Sequence, residues 1–269
     1  MSRKPRNLLS ESYYHVTQKC NYDAFLFKDT STCARYLELM AEVFVKYGLP
    51  VLAYCLMGNH IHLLTRTGEK QENLSCAMRE LSGRIAAEYN KTNGKRGHFW
   101  AERFHSILVA GLHHLRNVIA YIDANPLNTE EMCDPIRWTY CSFHEFQALK
   151  SDISLVDRKA LLDAIQLKTH EEFLEWQRKM MDLQRGVKYT GAAAANTRYA
   201  GHYALGVREA LETLQRRLVK RHQFTYLTCL ETETQDAPAL WALDLCSQHY
   251  ASRKIWKQHI RHHLRLRHP

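Results

Sequence analysis

Two apolar runs of the chain, residues 51–57 and 60–65, are separated only by Gly58 and Asn59. A Gly/Asn turn between two apolar runs is typical of a β-hairpin, because these residues tolerate the positive φ angles of tight turns. An antiparallel pair of strands is therefore expected here, and the neighbouring elements have to form a sheet around it.

The segments on either side of this hairpin predict a domain that mixes helices and strands. Strands are expected at residues 13–18 and 104–110, and apolar residues at helical spacing predict helices over 32–47, 72–90 and 112–124. The resulting order is β-α-β-β-α-β-α. Its first six elements match the ferredoxin-like, or split βαβ, arrangement, so the predicted class is α+β with an appended helix in a domain of residues 1–130.

Residues 131–269 are predicted to form a mainly helical extension. Helical periodicity covers residues 155–166, 170–185, 204–221 and 238–264, and the Gly/Ala/Thr-rich segment 186–203 is the expected linker. The tail 253–268 interleaves apolar and basic side chains. This tail makes the extension a candidate DNA-binding segment.

The positive charge is unevenly distributed. The chain has a net charge of +9, with +5 in residues 1–129, −2 in residues 130–244 and +6 in residues 245–269. Two positive regions around a near-neutral middle suit a polyanionic partner, because Lys and Arg displace the counterions of phosphates. A solvated basic surface with no such partner is the alternative.

Composition excludes several classes of protein. No window of 18 apolar residues could span a membrane, and the basic start of the chain lacks the apolar segment of a secretory signal. The 8 cysteines form no Cys-x-x-Cys pair, so they are interpreted as thiols of a reducing compartment rather than as disulfides. A cytoplasmic protein without a membrane partner is expected.

The strand after the turn begins with His60-Ile61-His62. Residues i and i+2 of a strand point to the same face, so both imidazoles can converge on one divalent metal. Two ordinary polar-face histidines are the alternative.

Tyr121 and Asn125 lie four residues apart at the end of the last helix of the domain, before Pro126. This spacing places them on one helical face. A tyrosine phenol can attack phosphorus and hold the phosphoryl group as an ester, and an amide oxygen could be a third metal ligand. A tyrosine with a purely structural role is the alternative.

A basic and aromatic segment follows the second helix, where Lys95, Arg96, Trp100 and Arg103 lie close together in the sequence. Basic side chains can hold a phosphate backbone and an indole can stack on a base. Packing of Trp100 in the core and pairing of Arg103 with Glu102 is the alternative. If the final helix crosses the face that carries the two histidines, Tyr121 approaches a metal held by His60 and His62.

As a set, these residues resemble a known family. A His-hydrophobic-His strand followed by one tyrosine on a later helix resembles the HUH single-strand endonucleases with one catalytic tyrosine. Among them, the chain is most similar to the REP-associated tyrosine transposases, which are IS200-like. The resemblance is carried by residues 14–18, 53–64, 97–100, 103–106 and 121–126, and it does not clearly extend over 150–269.

This resemblance implies a transposase, that is, a metal-dependent single-stranded DNA endonuclease and strand transferase. It would act on palindromic repeats that form hairpins, as a monomer or a dimer, at the nucleoid of a prokaryotic cytoplasm. By resemblance, Tyr121 is the nucleophile that forms a 5′-phosphotyrosine, His60 and His62 hold Mg²⁺ or Mn²⁺, and Asn125 binds or supports that metal. The family commonly has Pro at the position of Gly58 and Glu at that of Asp123, so the role of Asp123 stays open.

Two other functions remain open at this point. A non-catalytic regulator derived from a transposase would bind DNA hairpins without cutting them. A metal-dependent hydrolase would use water as the nucleophile and leave Tyr121 a structural role.

Overall fold

The computed structural model describes residues 6–21, 27, 29–128, 134–147, 154–186, 204–206, 208–219, 225–231 and 240–245. The chain divides into two compact units, Met1–Gly201 and His202–Pro269. The first unit contains every candidate site residue named from the sequence.

The first unit confirms the predicted order of elements. Its first seven elements are β1 (Tyr13–Lys19), α1 (Thr30–Lys46), β2 (Val51–Leu56), β3 (His60–Arg66), α2 (Glu72–Thr92), β4 (His105–Ala110) and α3 (Leu112–Ala124). Neighbouring strands pair antiparallel in the order β2-β3-β1-β4. The predicted α+β, ferredoxin-like fold with one appended helix is therefore present.

Local signals explain where these elements begin and end. The side chain of Asp29 caps α1 by accepting from the backbone N–H groups of Ser31 and Thr32. Gly48 then takes a φ of +64°, which lets the chain leave the helix after Lys46. The hairpin closes where Met57 N–H donates to His60 O at 2.8 Å.

The two faces of the sheet have different roles. Ile61 and Leu63 of β3 face the same side as Val16 of β1, and all three are buried. On this side Gln18 accepts a hydrogen bond from Ser82 of α2, which packs against α1. Helix α3 contacts β2, β3 and β4 through the other face, so the histidines at alternate positions of β3 face α3.

The helices that follow α3 belong to the same compact unit. They are a 3-10 helix (Asn125–Asn128), α4 (Ser142–Gln147), α5 (Arg158–Ile165) and α6 (His170–Gly186). Helices α5 and α6 both contact α3, and the Arg116 guanidinium of α3 donates to Ile165 O at the end of α5. The sequence analysis divides the chain at residue 130, whereas the first compact unit runs to Gly201 because these helices pack on α3.

The second unit contains strands that the sequence analysis does not predict. Its described elements are β5 (Ala204–Gly206), α7 (Arg208–Val219), β6 (Thr225–Glu231) and β7 (Leu240–Leu245). The strands pair antiparallel in the order β5-β7-β6, and α7 packs on them with buried Leu211, Leu214 and Leu218.

Helix α7 confirms the core of the helix expected over 204–221. The helix predicted over 238–264 is wrong at 240–245, where the chain pairs with β6 instead. Pairing with a distant strand is a tertiary interaction that overrides local helical spacing. The predicted linker, apart from Gly186 at the end of α6, and the basic tail 253–268 lie outside the described residues.

The described residues contain neither a membrane-spanning helix nor a disulfide among the cysteines whose state is known. No helix in them is both long enough and apolar enough to cross a membrane. The described cysteines whose state is known, Cys20, Cys33, Cys55, Cys76 and Cys141, are all free thiols.

Candidate active site

His60 and His62 lie side by side on β3, on the face covered by α3. Their ring centroids are 4.9 Å apart with the planes at 82°. His62 is only 2% exposed, whereas His60 at the start of the strand is half-buried. The pair therefore has the convergence on one face that its spacing predicts.

Tyr121 of α3 lies next to His62, on the face of the sheet that α3 covers. Its ring lies edge-on to that of His62, with centroids 5.5 Å apart and an interplanar angle of 88°. The helix begins directly after β4 because Gly111 turns the chain with a φ of +87°, a value that glycine adopts without strain. The structure thus brings together His60, His62 and Tyr121, which are far apart in sequence.

Each histidine of the pair has one ring nitrogen engaged by a neighbour. His60 Nδ1 is 2.6 Å from Asn59 Oδ1, and His62 Nδ1 is 3.0 Å from His15 Nε2. Because the Asn59 oxygen only accepts, His60 Nδ1 carries the proton and Nε2 carries the lone pair. His62 Nε2 is buried and has no hydrogen-bond partner within the described residues.

Burial keeps these imidazoles neutral. It lowers the pKa of His60 to about 4, helped by the charge of Lys19, and the pKa of His15 to about 4, helped by His114. The pKa of His62 lies well below its usual value for the same reason, with smaller contributions from His60 and His15. The neutral imidazole is the form that binds a metal ion.

The donor set fits a divalent cation. The orphaned Nε2 of buried His62 is an acceptor that a cation would satisfy, and the engaged Nδ1 atoms match the way metal-binding histidines are usually oriented by a second partner. Over the described ranges, no three or more His, Cys, Asp or Glu side chains are arranged to hold a metal. Within these ranges, any further protein ligand would therefore be another kind of oxygen or nitrogen donor.

Asn125 is the residue that the family resemblance implies as such a donor. It is 5% exposed, one turn after Tyr121, and its Nδ2 donates to Tyr121 O at 2.8 Å. The amide nitrogen is thus used by the helix, and Oδ1 is the atom that can bind a cation.

Asp123 has a different environment from the residues on either side of it. It is fully buried, and its Oδ1 and Oδ2 accept from Ser142 Oγ and Gln177 Nε2, each at 2.7 Å. Burial nevertheless raises its pKa to about 7. These two bonds tie the end of α3 to α4 and α6, so Asp123 anchors the helix that carries Tyr121.

Trp100, one of the candidate DNA-binding residues, packs against other aromatic side chains. Trp100 donates from Nε1 to Ser82 O at 3.1 Å and contacts the rings of Phe27, Tyr36 and Phe99. These are the contacts expected for a packing role, although Trp100 keeps partial exposure.

Lys95, Arg96 and Arg103 are exposed. Burial, and secondarily the charge of Arg103, lowers the pKa of Arg6 to about 10. In the described part of the chain, no hydrogen bond or ring contact joins Lys95, Arg96, Trp100 or Arg103 to His60 or His62.

Sequence reasoning missed His15, the third imidazole of the centre. The only sequence signal for His15 is that it lies within residues 14–18, one of the segments that carry the family resemblance. Its contact with His62 depends on how β1 pairs with β3, and that register cannot be read from residue types alone.

Part of the sequence that contains this site also matches the model of a known protein family. Residues 9–125 match the model of the family described as "Transposase IS200 like". This segment is therefore similar to the IS200-like transposases. The matched segment contains His15, His60, His62 and Tyr121 and ends at Asn125, so α4, α5 and α6 lie beyond it.

Two solved structures are similar to this chain. One is a REP-associated tyrosine transposase bound to a REP hairpin, with 19% identity, a TM-score of 0.45 and coverage of 59% of this chain and 98% of that chain. The other is a putative transposase from Deinococcus radiodurans, with 18% identity, a TM-score of 0.33 and coverage of 45% of this chain and 96% of that chain. No curated protein matches the sequence.

Proposed function

We propose that this protein is a metal-dependent single-stranded DNA endonuclease and strand transferase that acts on hairpin-forming palindromic repeats. The observation that carries the proposal is the position of Tyr121, whose ring stands edge-on to His62 while the Nε2 of that histidine is buried without a partner. A tyrosine next to a histidine nitrogen that is able to bind a metal suits metal-assisted attack on a phosphate.

His60, His62 and Asn125 would hold the metal, Mg²⁺ or Mn²⁺, through two imidazole nitrogens and one amide oxygen. When bound, the cation would polarise the scissile phosphate and offset the charge that develops on it. The protein's own contribution is to keep both imidazoles neutral by burial and to fix each ring through its Nδ1.

Tyr121 performs the covalent step. Its phenol oxygen forms a bond to phosphorus, the bond from phosphorus to the 3′ oxygen breaks, and the proton lost by the phenol is balanced by protonation of the released 3′ hydroxyl. The product is a 5′-phosphotyrosine. Since the ester bond is conserved, the 3′ hydroxyl of another strand can attack it and restore the tyrosine, which joins strands without an external energy source.

The charge of the domain supports a DNA substrate. Residues 1–129 carry a net charge of +5, and the exposed side chains of Lys95, Arg96 and Arg103 follow α2 or precede β4. Such cations would bind phosphates irrespective of base sequence. The preference for a hairpin comes from the motif resemblance.

A labelled-strand assay tests this function. The full chain is incubated with a single-stranded hairpin labelled at either end, with Mg²⁺ or Mn²⁺, and then separated under denaturing conditions. A 5′-phosphotyrosine predicts that only the 3′-labelled strand stays attached to protein, while the 5′-labelled fragment is released. Binding without cleavage would instead indicate a non-catalytic hairpin regulator, and cleavage without an adduct would indicate hydrolysis by water.

A further inference from the structure

His15 of β1 is a half-buried imidazole outside the set of residues that the proposed function uses. Its Nε2 lies 3.0 Å from His62 Nδ1, and the two rings are stacked with centroids 5.2 Å apart and planes at 22°. It also lies edge-on to Tyr121, at 5.9 Å and 73°. His15 therefore touches both the proposed nucleophile and one proposed ligand.

The strand register explains this contact. Thr17 is directly opposite His62, and His15 is opposite Leu64, so His15 is the diagonal neighbour of His62 on the same face of the sheet. Diagonal neighbours lie within reach of long side chains. Because the side chain of Thr17 is short, it leaves room for the imidazole rings of His15 and His62 to contact each other.

The hydrogen bond between the two rings fixes where their protons lie. A hydrogen bond between two ring nitrogens needs one donor and one acceptor, so one nitrogen of the pair carries the proton and the other accepts it. If His62 donated from Nε2 instead, a buried N–H would have no acceptor among the described residues, which is unfavourable. The favoured arrangement places the proton of His62 on Nδ1, with His15 Nε2 as the acceptor.

We propose that His15 is a positioning residue that holds His62 in the Nδ1–H tautomer and orients its Nε2 lone pair toward a divalent cation. The inference rests on the proposed function, because the cation is the one proposed there. It extends the His60-Ile61-His62 motif to a second strand, so that β1 as well as β3 determines metal affinity. Loss of such an outer partner typically weakens metal affinity by about 10–100-fold.

Two substitutions of His15 test the proposal. In His15→Leu the ring nitrogen is replaced by an apolar group, whereas in His15→Gln an amide oxygen can still accept from His62 Nδ1. His98→Asn, which removes an exposed histidine, is the matched control. Mn²⁺ affinity of the DNA-free full chain is measured from the electron paramagnetic resonance signal of free Mn²⁺, and hairpin binding is measured without metal.

We expect Mn²⁺ binding to weaken by about 10–100-fold in His15→Leu, to recover at least partly in His15→Gln and to stay unchanged in His98→Asn. Hairpin binding without metal should be the same in wild type, His15→Leu and His15→Gln, which a general folding defect would not allow. Wild-type Mn²⁺ affinity in His15→Leu would overturn the proposal.

A measurement on metal-free wild-type protein separates this inference from the proposed function. Nitrogen-15 NMR of the histidine rings, with the His62 signals assigned by their loss in His62→Gln, shows which ring nitrogen carries the proton. The proposal expects protonation at Nδ1 of His62, and protonation at Nε2 would overturn it even if every variant failed to fold. Absence of Mn²⁺ binding in wild type together with an Nδ1–H tautomer would refute the metal function while leaving the role of His15 in orienting His62 standing.

Discussion

The ring of Tyr121 stands edge-on to the ring of His62, with centroids 5.5 Å apart and planes at 88°. Tyr121 belongs to a helix that follows the last strand of the first sheet, and His62 to a strand near the centre of that sheet. The two rings are in contact because α3 crosses the sheet on the face that carries the histidines. The histidine pair and the helix with Tyr121 therefore form one site.

Loss of the histidine pair should remove metal-dependent cleavage. We expect the double variant His60→Ala and His62→Ala to show no nicking above background with Mg²⁺ or Mn²⁺, because both proposed nitrogen ligands are gone. End-labelled hairpin cleavage measures the effect. His113→Ala removes an exposed histidine of α3 as the control and should cleave at the wild-type rate; undiminished cleavage by the double variant would eliminate the proposed metal site.

The anchor of α3 should affect both stability and catalysis. Gln177→Leu removes one of the two side-chain donors to Asp123 and deprives its buried Oδ2 of that bond, which should lower the free energy of unfolding by about 1–3 kcal/mol. We also expect the nicking rate to fall more than hairpin affinity, because α3 carries Tyr121 but none of the exposed cations Lys95, Arg96 and Arg103. Urea unfolding and single-turnover cleavage provide the two measurements.

The control for this anchor is Glu175→Gln, on the same helix. It removes an exposed pair with Lys179 and should change the unfolding free energy by no more than about 0.5 kcal/mol. Equal stabilities of Gln177→Leu and the control would show that the Asp123 network does not anchor α3.

Stability should fall as the pH is lowered from about 6.5 to 4, partly because of His114 on α3. Burial, and secondarily the charge of His113, lowers the pKa of His114 to about 4. A histidine whose folded pKa is depressed binds more protons when unfolded, so its contribution is present above the unfolded pKa and is lost as the pH falls. The loss attributable to this group is at most about 3 kcal/mol, since one pKa unit corresponds to about 1.4 kcal/mol.

Urea unfolding of His114→Asn across this pH range checks the contribution. The variant should have a shallower dependence than wild type, whereas the exposed control His98→Asn should follow the wild-type curve. A variant whose curve parallels that of wild type would contradict the neutral state of the half-buried His114.

The exposed cations should determine affinity rather than chemistry. In a variant with Lys95→Gln and Arg96→Gln, we expect weaker hairpin binding. The slope of the logarithm of the binding constant against the logarithm of the salt concentration should also become less steep, by about 0.7–0.9 for each phosphate that the variant no longer neutralises. The yield of adduct per bound complex should stay the same. Titrations at several salt concentrations measure the slope for the variant and for wild type. Lys159→Gln, which removes an exposed cation of α5, is the control. A slope that stays unchanged in the double variant would show that the DNA does not contact Lys95 or Arg96.

The sequence predicts the first unit well because its elements are locally encoded. The Gly58-Asn59 turn, the cap at Asp29 and the helical spacing of apolar residues each lie within a few positions of the element that they define. The strand order then follows from the split βαβ pattern, and this pattern brings Tyr121 close to the histidine pair.

What the sequence does not predict depends on pairing between distant segments. The strands β6 and β7 form by pairing with each other, so local periodicity misread residues 240–245 as helix. The partnership of His15 with His62 requires the register of β1 against β3, and the anchoring of Asp123 requires Gln177 from α6. Such interactions become visible only in three dimensions.

The most direct test of the central claim is to map the covalent DNA attachment. The wild-type adduct with a labelled hairpin is digested, and mass spectrometry identifies the residue that carries the nucleotide, in parallel with Tyr121→Phe and with Tyr140→Phe, which keeps its ring contact with Trp138. We predict that the nucleotide is on Tyr121, that Tyr121→Phe forms no adduct while it still binds the hairpin, and that Tyr140→Phe behaves as wild type. A nucleotide on another residue, or an adduct that persists in Tyr121→Phe, would contradict the account.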